Sequence, residues 1–452
     1  MKKIFTCLYA VLIAGGVSAQ WNGNPVAGGT PLTSSAASEQ TQIPVTDGAG
    51  GVIAVFEAYD NNTGLVSLQA QRVNNNGLLQ WGNAGSPVSI AVGNGERYLE
   101  HAIPDGNGGV FISWLDYRDD GINGDVFMQH LNSAGTALWS TNGIKITNTA
   151  TNREKQGSRL VQDGNGGVIV AWSESVYNEL NSLTTYAQIF AQKYNSAGAS
   201  QWTSGGVQVC TAAGLRAGHI MIPDGSGGVL MVFTDARNSV QAADDQFDNL
   251  DLYAQRLGSN GALQLGANGA AVNTRPYNQT TFFEYLGKRA GVPDGSGGLV
   301  FVFDDFTGDN SAVNNMYAQK INNAATIQWA AAGIQVSTAD STKYLVNTIS
   351  DGAGGIVVLW NDNRNGVSYF NAGLYTQRIL SNGTPAWMTD GIELSTNTGG
   401  FYGFGSDVIA DGSGNFIYSF NAEGANFSQV LVAQKLNGAG IAQWGATPRD
   451  VC

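Results

Sequence analysis

Seven cations recur at related places in the chain, each four to eight residues ahead of an Asp-Gly pair: Arg97, Lys155, Arg159, Arg216, Lys288, Arg289 and Lys343. Arg153 lies beside them. Gathered in a protein of opposite net charge, such groups suit a carboxylate-bearing ligand or an acidic segment of a partner. The competing expectation is that they pair with nearby acidic loops and bind nothing. Asp244, Asp245, Asp248 and Asp251 cluster in a long insert and form a weak calcium candidate; a solvated acidic loop is the plainer account, because calcium wants six to eight oxygens. The chain has three histidines, His101, His130 and His219, and no HExxH, CxxC, GxSxG or GxxxxGK. Without those constellations we expect no cofactor, no catalytic residues and no enzymatic activity.

The element that must position these side chains is a phrase repeated seven times: Asp-Gly-x-Gly, usually a further Gly, an apolar run, then a large aromatic. It begins at Asp47, Asp105, Asp163, Asp224, Asp294, Asp351 and Asp411, with the aromatic nine residues on at Phe56, Trp114, Trp172, Phe233, Phe303, Trp360 and Phe420. Spacings of 57 to 70 residues are too long for a solenoid of single hairpins. A β-rich unit of about 60 residues in seven copies predicts an all-β, seven-bladed propeller with four antiparallel strands per blade.

Repeat two shows the unit. Glu96 to Pro104 reads as a first strand, Asp105 to Gly109 as a hairpin turn and Val110 to Leu115 as an apolar second strand. Asp125 to Leu131 reads as the third, and Thr136 to Trp139 as the start of the fourth. Blades are expected at about 39–90, 91–149, 150–211, 212–275, 276–339, 340–397 and 398–452. Every third strand carries a Gln (Gln71, Gln129, Gln192, Gln255, Gln319, Gln377, Gln434) followed by Arg, Lys or His; its amide is expected to satisfy backbone groups within the blade. Fourth-strand tryptophans (81, 139, 202, 329, 387 and 444) are expected to fill the wedge between blades. Asp-x-Arg after the aromatic, at Asp116/Arg118, Asp235/Arg237 and Asp362/Arg364, reads as loop bracing. First strands should line the central channel, which would place the seven cations in an inner zone.

Lys2 and Lys3, the apolar stretch Ile4 to Ala14 and Val17-Ser18-Ala19 predict a signal peptide over residues 1–19. Residues 20–38 hold an orphan copy of the fourth-strand phrase, Gln20-Trp21, which either closes the ring or covers the edge of the last blade. Removing the two leading lysines from 22 basic residues leaves 20 against 35 acidic ones, a net charge near −15. That balance argues against nucleic acid as a partner, and no later stretch reaches the ~20 apolar residues of a membrane span. Cys210 and Cys452 occupy equivalent positions in repeats three and seven, too far apart in a closed ring to bridge.

The phrases DGxGGxxxxW, WxDxR, YAQRL and NxxGxxxW, as in Trp114-Leu115-Asp116-Tyr117-Arg118, Trp360-Asn361-Asp362-Asn363-Arg364 and Tyr253-Ala254-Gln255-Arg256-Leu257, resemble the repeat of exported seven-bladed β-propeller proteins of bacteria that use type IX secretion. Cargo of that route often ends in a separate sorting domain, whereas this sequence stops just after the last fourth-strand phrase. The resemblance therefore implies a periplasmic protein, similar to the plug subunit that closes the periplasmic mouth of the translocon. The resulting expectation is a protein-binding propeller, a monomer within a hetero-complex of the cell envelope or outer membrane. The alternative is a cell-surface or secreted propeller that binds or cleaves glycans, marked by two carboxylates about 5 to 10 Å apart across the channel.

Overall fold

Each repeat is organised by the carboxylate of its Asp. In blade two, Asp105 Oδ1 accepts the N–H groups of Asn107 and Gly109, both at 2.7 Å. Gly106 and Gly108 take φ of 81° and 86°, where a Cβ is strained. At Gly109 a Cβ would lie 2.2 Å from the Leu131 carbonyl oxygen, so only glycine permits the close approach of the third strand. The other carboxylate oxygen holds the basic residue that follows the column Gln. The seven pairs are Asp47–Arg72 at 3.0 Å, Asp105–His130 at 3.0 Å, Asp163–Lys193 at 3.0 Å, Asp224–Arg256 at 2.9 Å, Asp294–Lys320 at 3.4 Å, Asp351–Arg378 at 3.0 Å and Asp411–Lys435 at 2.7 Å.

The structure is a computed structural model and describes residues 32–33, 38–82, 87–119, 121, 123–147, 153–178, 183–240, 247–281, 288–306, 314–364, 372–395, 406–423 and 429–451. The expected signal peptide, the orphan Gln20-Trp21 phrase, Asp244, Asp245 and Cys452 lie outside them. Seven antiparallel sheets follow one another along the chain, each built from consecutive strands. Blade two comprises Arg97–Pro104, Val110–Asp116, Asp125–Leu131 and Ile144–Lys145. Its second and third strands are buried at every residue, as expected for sheets covered on both faces. In blade five the first strand comes in two pieces, Gln279–Thr281 and Gly291–Pro293, both paired with Leu299–Asp305. First strands of successive blades touch one another from blade one through blade seven, so they line the axis of a seven-bladed propeller. Among the described residues no helix is long and apolar enough to cross a membrane.

One expectation about the blade needs correction. The Trp phrase does not begin the fourth strand: Ala137 makes a single bridge to Leu131, and the strand comes later, at Ile144–Lys145. The indole points to the neighbouring blade, as expected of a side chain that fills the wedge between blades. Trp139 Nε1 donates to the Ser196 carbonyl at 2.9 Å, and Trp81, Trp202, Trp329 and Trp387 make the same bond to Ser133, Ser259, Ser381 and Gly438. The column Gln supports this geometry, since Gln129 Oε1 accepts the Trp139 backbone N–H at 3.1 Å while its Nε2 donates to the Ser140 carbonyl. Six apolar clusters join consecutive blades from one–two to six–seven. Among the described residues, neither an apolar cluster nor an indole bond joins blade seven to blade one. Replacing Trp139 by Phe keeps the burial and removes the N–H, and should cost about 1 kcal/mol in chemical denaturation. Trp139→Ala should cost about 3 to 5 kcal/mol.

Candidate functional site

The seven cations singled out in the sequence divide into two groups. Arg97, Arg216, Lys155 and Lys343 are interior, at 0–1 % exposure. Arg97 Nε sits 2.9 Å from Asp116 Oδ2, and its Nη atoms donate to carbonyls of Val66, Val92, Gly93, Asn94 and Gly95. Arg216 repeats the arrangement on Asp235 at 2.9 Å, with Ala212, Ala213 and Gly214 as acceptors. Lys343 donates to Ala339 and Ser341, and Lys155 Nζ lies 3.2 Å from Asp125 Oδ1 of the preceding blade. Arg97, Arg216 and Lys343 fasten the entries of their first strands to the loop behind, and Lys155 fastens its own to the third strand of the preceding blade.

The Asp-x-Arg pairs complete the same lattice. Asp116 is shared by Arg97, Arg118 and the Trp114 indole, and Arg118 lies 4.2 Å over the Phe127 ring. Arg237 pairs with Asp235 at 2.6 Å and stacks on Tyr253; Arg364 pairs with Asp362 at 2.5 Å and stacks on Tyr375. Burial alone would raise the carboxyls of Asp116 and Asp362, but the hydrogen bonds and cations outweigh it and hold both below the usual carboxylate range.

Arg159, Lys288 and Arg289 lie on the axis. The register of most first strands shifts four to seven residues before the repeat Asp, a bulge that re-aims side chains toward the channel. Bonds between blades lace this level together. Glu100 of blade two accepts the N–H groups of Gly157 and Ser158 at 2.7 and 2.9 Å. His101 Nδ1 accepts the N–H of Leu160 at 3.0 Å. Farther round, Asn347 Oδ1 accepts the Arg289 N–H at 2.8 Å, Thr348 Oγ1 donates to the Arg289 carbonyl, and Asn347 Nδ2 reaches Asp407. Lys288 Nζ spans from blade five to blade seven, 3.2 Å from Asp407 Oδ2 and 2.6 Å from the Ser406 carbonyl. The Arg289 side chain is exposed, whereas Arg159 is 6 % exposed and donates to Ser158.

Burial, then the cations Arg159 and Arg289, push His101 far below its ordinary value; burial, then Arg159, push His219 down to about 3. Both imidazoles are therefore neutral, and the positive charge of the axial level comes from Arg159, Arg289 and Lys288. Sequence reasoning missed His101, His219, Glu100, Asn347 and Asp407. Their common signal is position, four or five residues before the repeat Asp.

A different surface lies at the blade-two side of the mouth. Tyr98 is 48 % exposed and its ring meets Tyr117 edge-on at 5.9 Å. Its hydroxyl donates to Glu96 Oε2 at 2.8 Å, which pushes the phenol up to about 12. Glu154 and Glu100 also act on Tyr117. Of the calcium candidate, Asp248 caps its own loop through Ser239 and Val240, while Asp251 is a fully buried strand residue. Among the described residues no group of three or more His, Cys, Asp or Glu is placed to hold a metal ion. Cys210 is a buried thiol.

No family model matches the chain, and no curated protein matches it. The fold defines it as a seven-bladed β-propeller, and the solved structures similar to it include one whose matched part is a β-propeller domain. The β-propeller domain of the trilobed protease from Pyrococcus furiosus matches with a TM-score of 0.43 at 9% identity, over 88% of this chain and 94% of that one. Polysaccharide lyase Uly1 matches with a TM-score of 0.43 at 11% identity, over 85% and 88%. The GH93 alpha-L-arabinofuranosidase of Fusarium graminearum matches with a TM-score of 0.39 at 11% identity, over 75% and 93%. The expectation of a protein without enzymatic activity is corrected by these matches, because structures of this architecture include enzymes. At such identities the likeness shows the fold alone and assigns no reaction.

Two outcomes test this description. Asp116→Ala strands the buried Arg97 guanidinium and releases the partly exposed Arg118, and should cost about 3 to 5 kcal/mol. Stability should also fall in acid in two stages. His101 and His219 have depressed folded values, so stability is full above the unfolded value of about 6.5 and declines as the pH drops below it. Asp105, Asp163, Asp224, Asp294 and Asp411, where hydrogen bonds and paired cations outweigh burial, add a second decline below about pH 4. Denaturation midpoints between pH 8 and pH 3 measure both.

Proposed function

We propose that this propeller recognises an acidic segment of a partner protein at the axial mouth, with Arg289 as the leading contact. One observation carries the reading. Arg289 is exposed while Asn347 and Thr348 hold its backbone N–H and carbonyl, so no backbone ordering is needed when a carboxylate binds. Arg159 adds positive potential on the same level, and Lys288 fixes the neighbouring inner strands. A periplasmic plug or adaptor of an outer-membrane secretion translocon is the finer form of this proposal and rests on the resemblance of the repeat phrases.

Binding of a polyglutamate peptide tests it. Arg289→Glu should weaken binding about tenfold, equivalent to about 1.4 kcal/mol, while the control Arg449→Glu leaves it unchanged. Equal affinities for the native protein and Arg289→Glu would return Arg289 to a purely structural role. A pull-down of detergent-solubilised envelope that recovers no stoichiometric partner would count against the translocon form.

A second reading, glycan recognition, is favoured by the exposed Tyr98 against Tyr117 with Glu96 beside it, since aromatic faces and carboxylates serve sugar rings. A polysaccharide panel tests it: binding that disappears in Tyr98→Ala supports a glycan ligand, and binding to no polysaccharide removes the reading.

A further inference from the structure

The first-strand position that carries these buried cations is Arg97 in blade two, Lys155 in blade three, Arg216 in blade four and Lys343 in blade six. In blade five it is Gln279. Register establishes the equivalence. Arg97, Lys155, Arg216 and Lys343 pair across the hairpin with Asp116, Glu174, Asp235 and Asp362, and Gln279 pairs with Asp305. The side chains of Arg97, Arg216 and Lys343 donate to the carbonyl two residues earlier, at Gly95, Gly214 and Ser341; Gln279 Nε2 does the same to Tyr277 at 2.9 Å. Position 279 is thus a cation seat without its cation.

On the other side of that seat stands the third-strand residue four before the column Gln of the preceding blade. At the junction of blades two and three this is Asp125, whose Oδ1 takes the Lys155 ammonium at 3.2 Å. At blades three and four it is Gln188, whose Oε1 faces Arg216 Nη1 at 3.4 Å. At blades four and five it is Asp251. The chain runs close here, because the Gln279 N–H donates to the Leu250 carbonyl at 2.7 Å. Asp251 and Gln279 are both 0 % exposed. Asp251 Oδ2 is taken by Asn238 at 2.8 Å, while Asp251 Oδ1 and Gln279 Oε1 have no hydrogen-bond partner. The two donations of Gln279 Nε2, to Pro276 and Tyr277, fix the amide so that Oε1 is the atom left over. Two buried acceptors without a donor are costly.

We propose that Asp251 Oδ1 and Gln279 Oε1 bind an alkali-metal cation of sodium's size, which takes the place that the Lys155 ammonium holds two blades earlier. One missing positive charge calls for a monovalent ion, and carboxylate and amide oxygens are hard ligands. The neighbouring carboxylate of Asp305 is already matched by Arg275 at 2.8 Å, so a divalent ion would carry excess charge. The rival occupant is a proton: burial, then Asp235, raise the Asp251 carboxyl, although Asn238 pulls the other way.

The full chain, dialysed into choline chloride, should gain several degrees of thermal midpoint when sodium chloride replaces choline at constant ionic strength. Calcium at the same ionic strength should give less. Gln279→Lys, which installs the ammonium directly, should raise the midpoint in choline and abolish the sodium dependence; Asp251→Asn should abolish it without that gain. Sodium-23 line broadening that is present in the native protein and lost in Gln279→Lys would report the ion itself. Identical midpoints in sodium and choline, a sodium effect that persists in Gln279→Lys, or a response to calcium alone would each overturn the proposal. A midpoint that ignores sodium and falls as pH rises through the carboxylate range would assign the seat to a proton.

Discussion

The interaction on which the rest of the structure depends is the divided carboxylate of the repeat Asp. One oxygen accepts two backbone N–H groups and makes the turn; the other holds the cation that follows the column Gln. That cation does not stop within its blade: Arg72 Nη1 reaches the Ser133 carbonyl, Lys193 Nζ reaches Gly227 and Arg378 Nη1 reaches Gly438, each in the next blade. The indole of the same blade donates to that same carbonyl at Ser133 and at Gly438. Charge-assisted bonds in a partly buried setting are stronger than neutral ones. A single carboxylate therefore couples the local turn to the packing between sheets.

Stapling of this kind, repeated round the ring, leaves the two faces of the propeller unequal. The face of the Asp-Gly turns spends its polar groups on holding blades together. At the opposite entry ends, buried Arg97, Arg216, Lys155 and Lys343 do similar work, and their burial is tolerated because every donor finds an acceptor. What remains for recognition is the axial level, where bulged first strands carry side chains that differ from blade to blade, and the rim, where Tyr98 and Tyr117 stand among carboxylates. The proposed recognition surfaces are the places where the repeat gives way to individual residues.

Much of the frame was legible from sequence. Seven Asp-Gly turns, the buried second strands and the structural role of Gln129 and its equivalents follow from turn chemistry and apolar runs, because those signals are local. The cations were legible as a set but not as two sets. Eight residues before the Asp the side chain is buried, and Arg97 and Arg216 there meet Asp116 and Asp235; four or five residues before it, the bulge turns the side chain toward the axis. A strand read with strict alternation misses that bulge, which is why Arg97 and Arg289 looked alike. The pairing of Asp47 with Arg72 was hidden for another reason: both columns were visible, but their partnership is a matter of strand register. The placing of the tryptophans between blades was legible from their size, whereas the start of the fourth strand, which follows the Trp phrase at Ile144–Lys145, was not.

The central claim is that recognition happens at the axial level and that the turn face is frame. Hydrogen–deuterium exchange of the full chain with and without saturating polyglutamate tests it most directly. The account predicts added protection in residues 154–160, 288–291 and 406–408, with unchanged exchange in the turns at 105–109, 224–228 and 351–355. Protection confined to those turns, with the first strands unaffected, would contradict it.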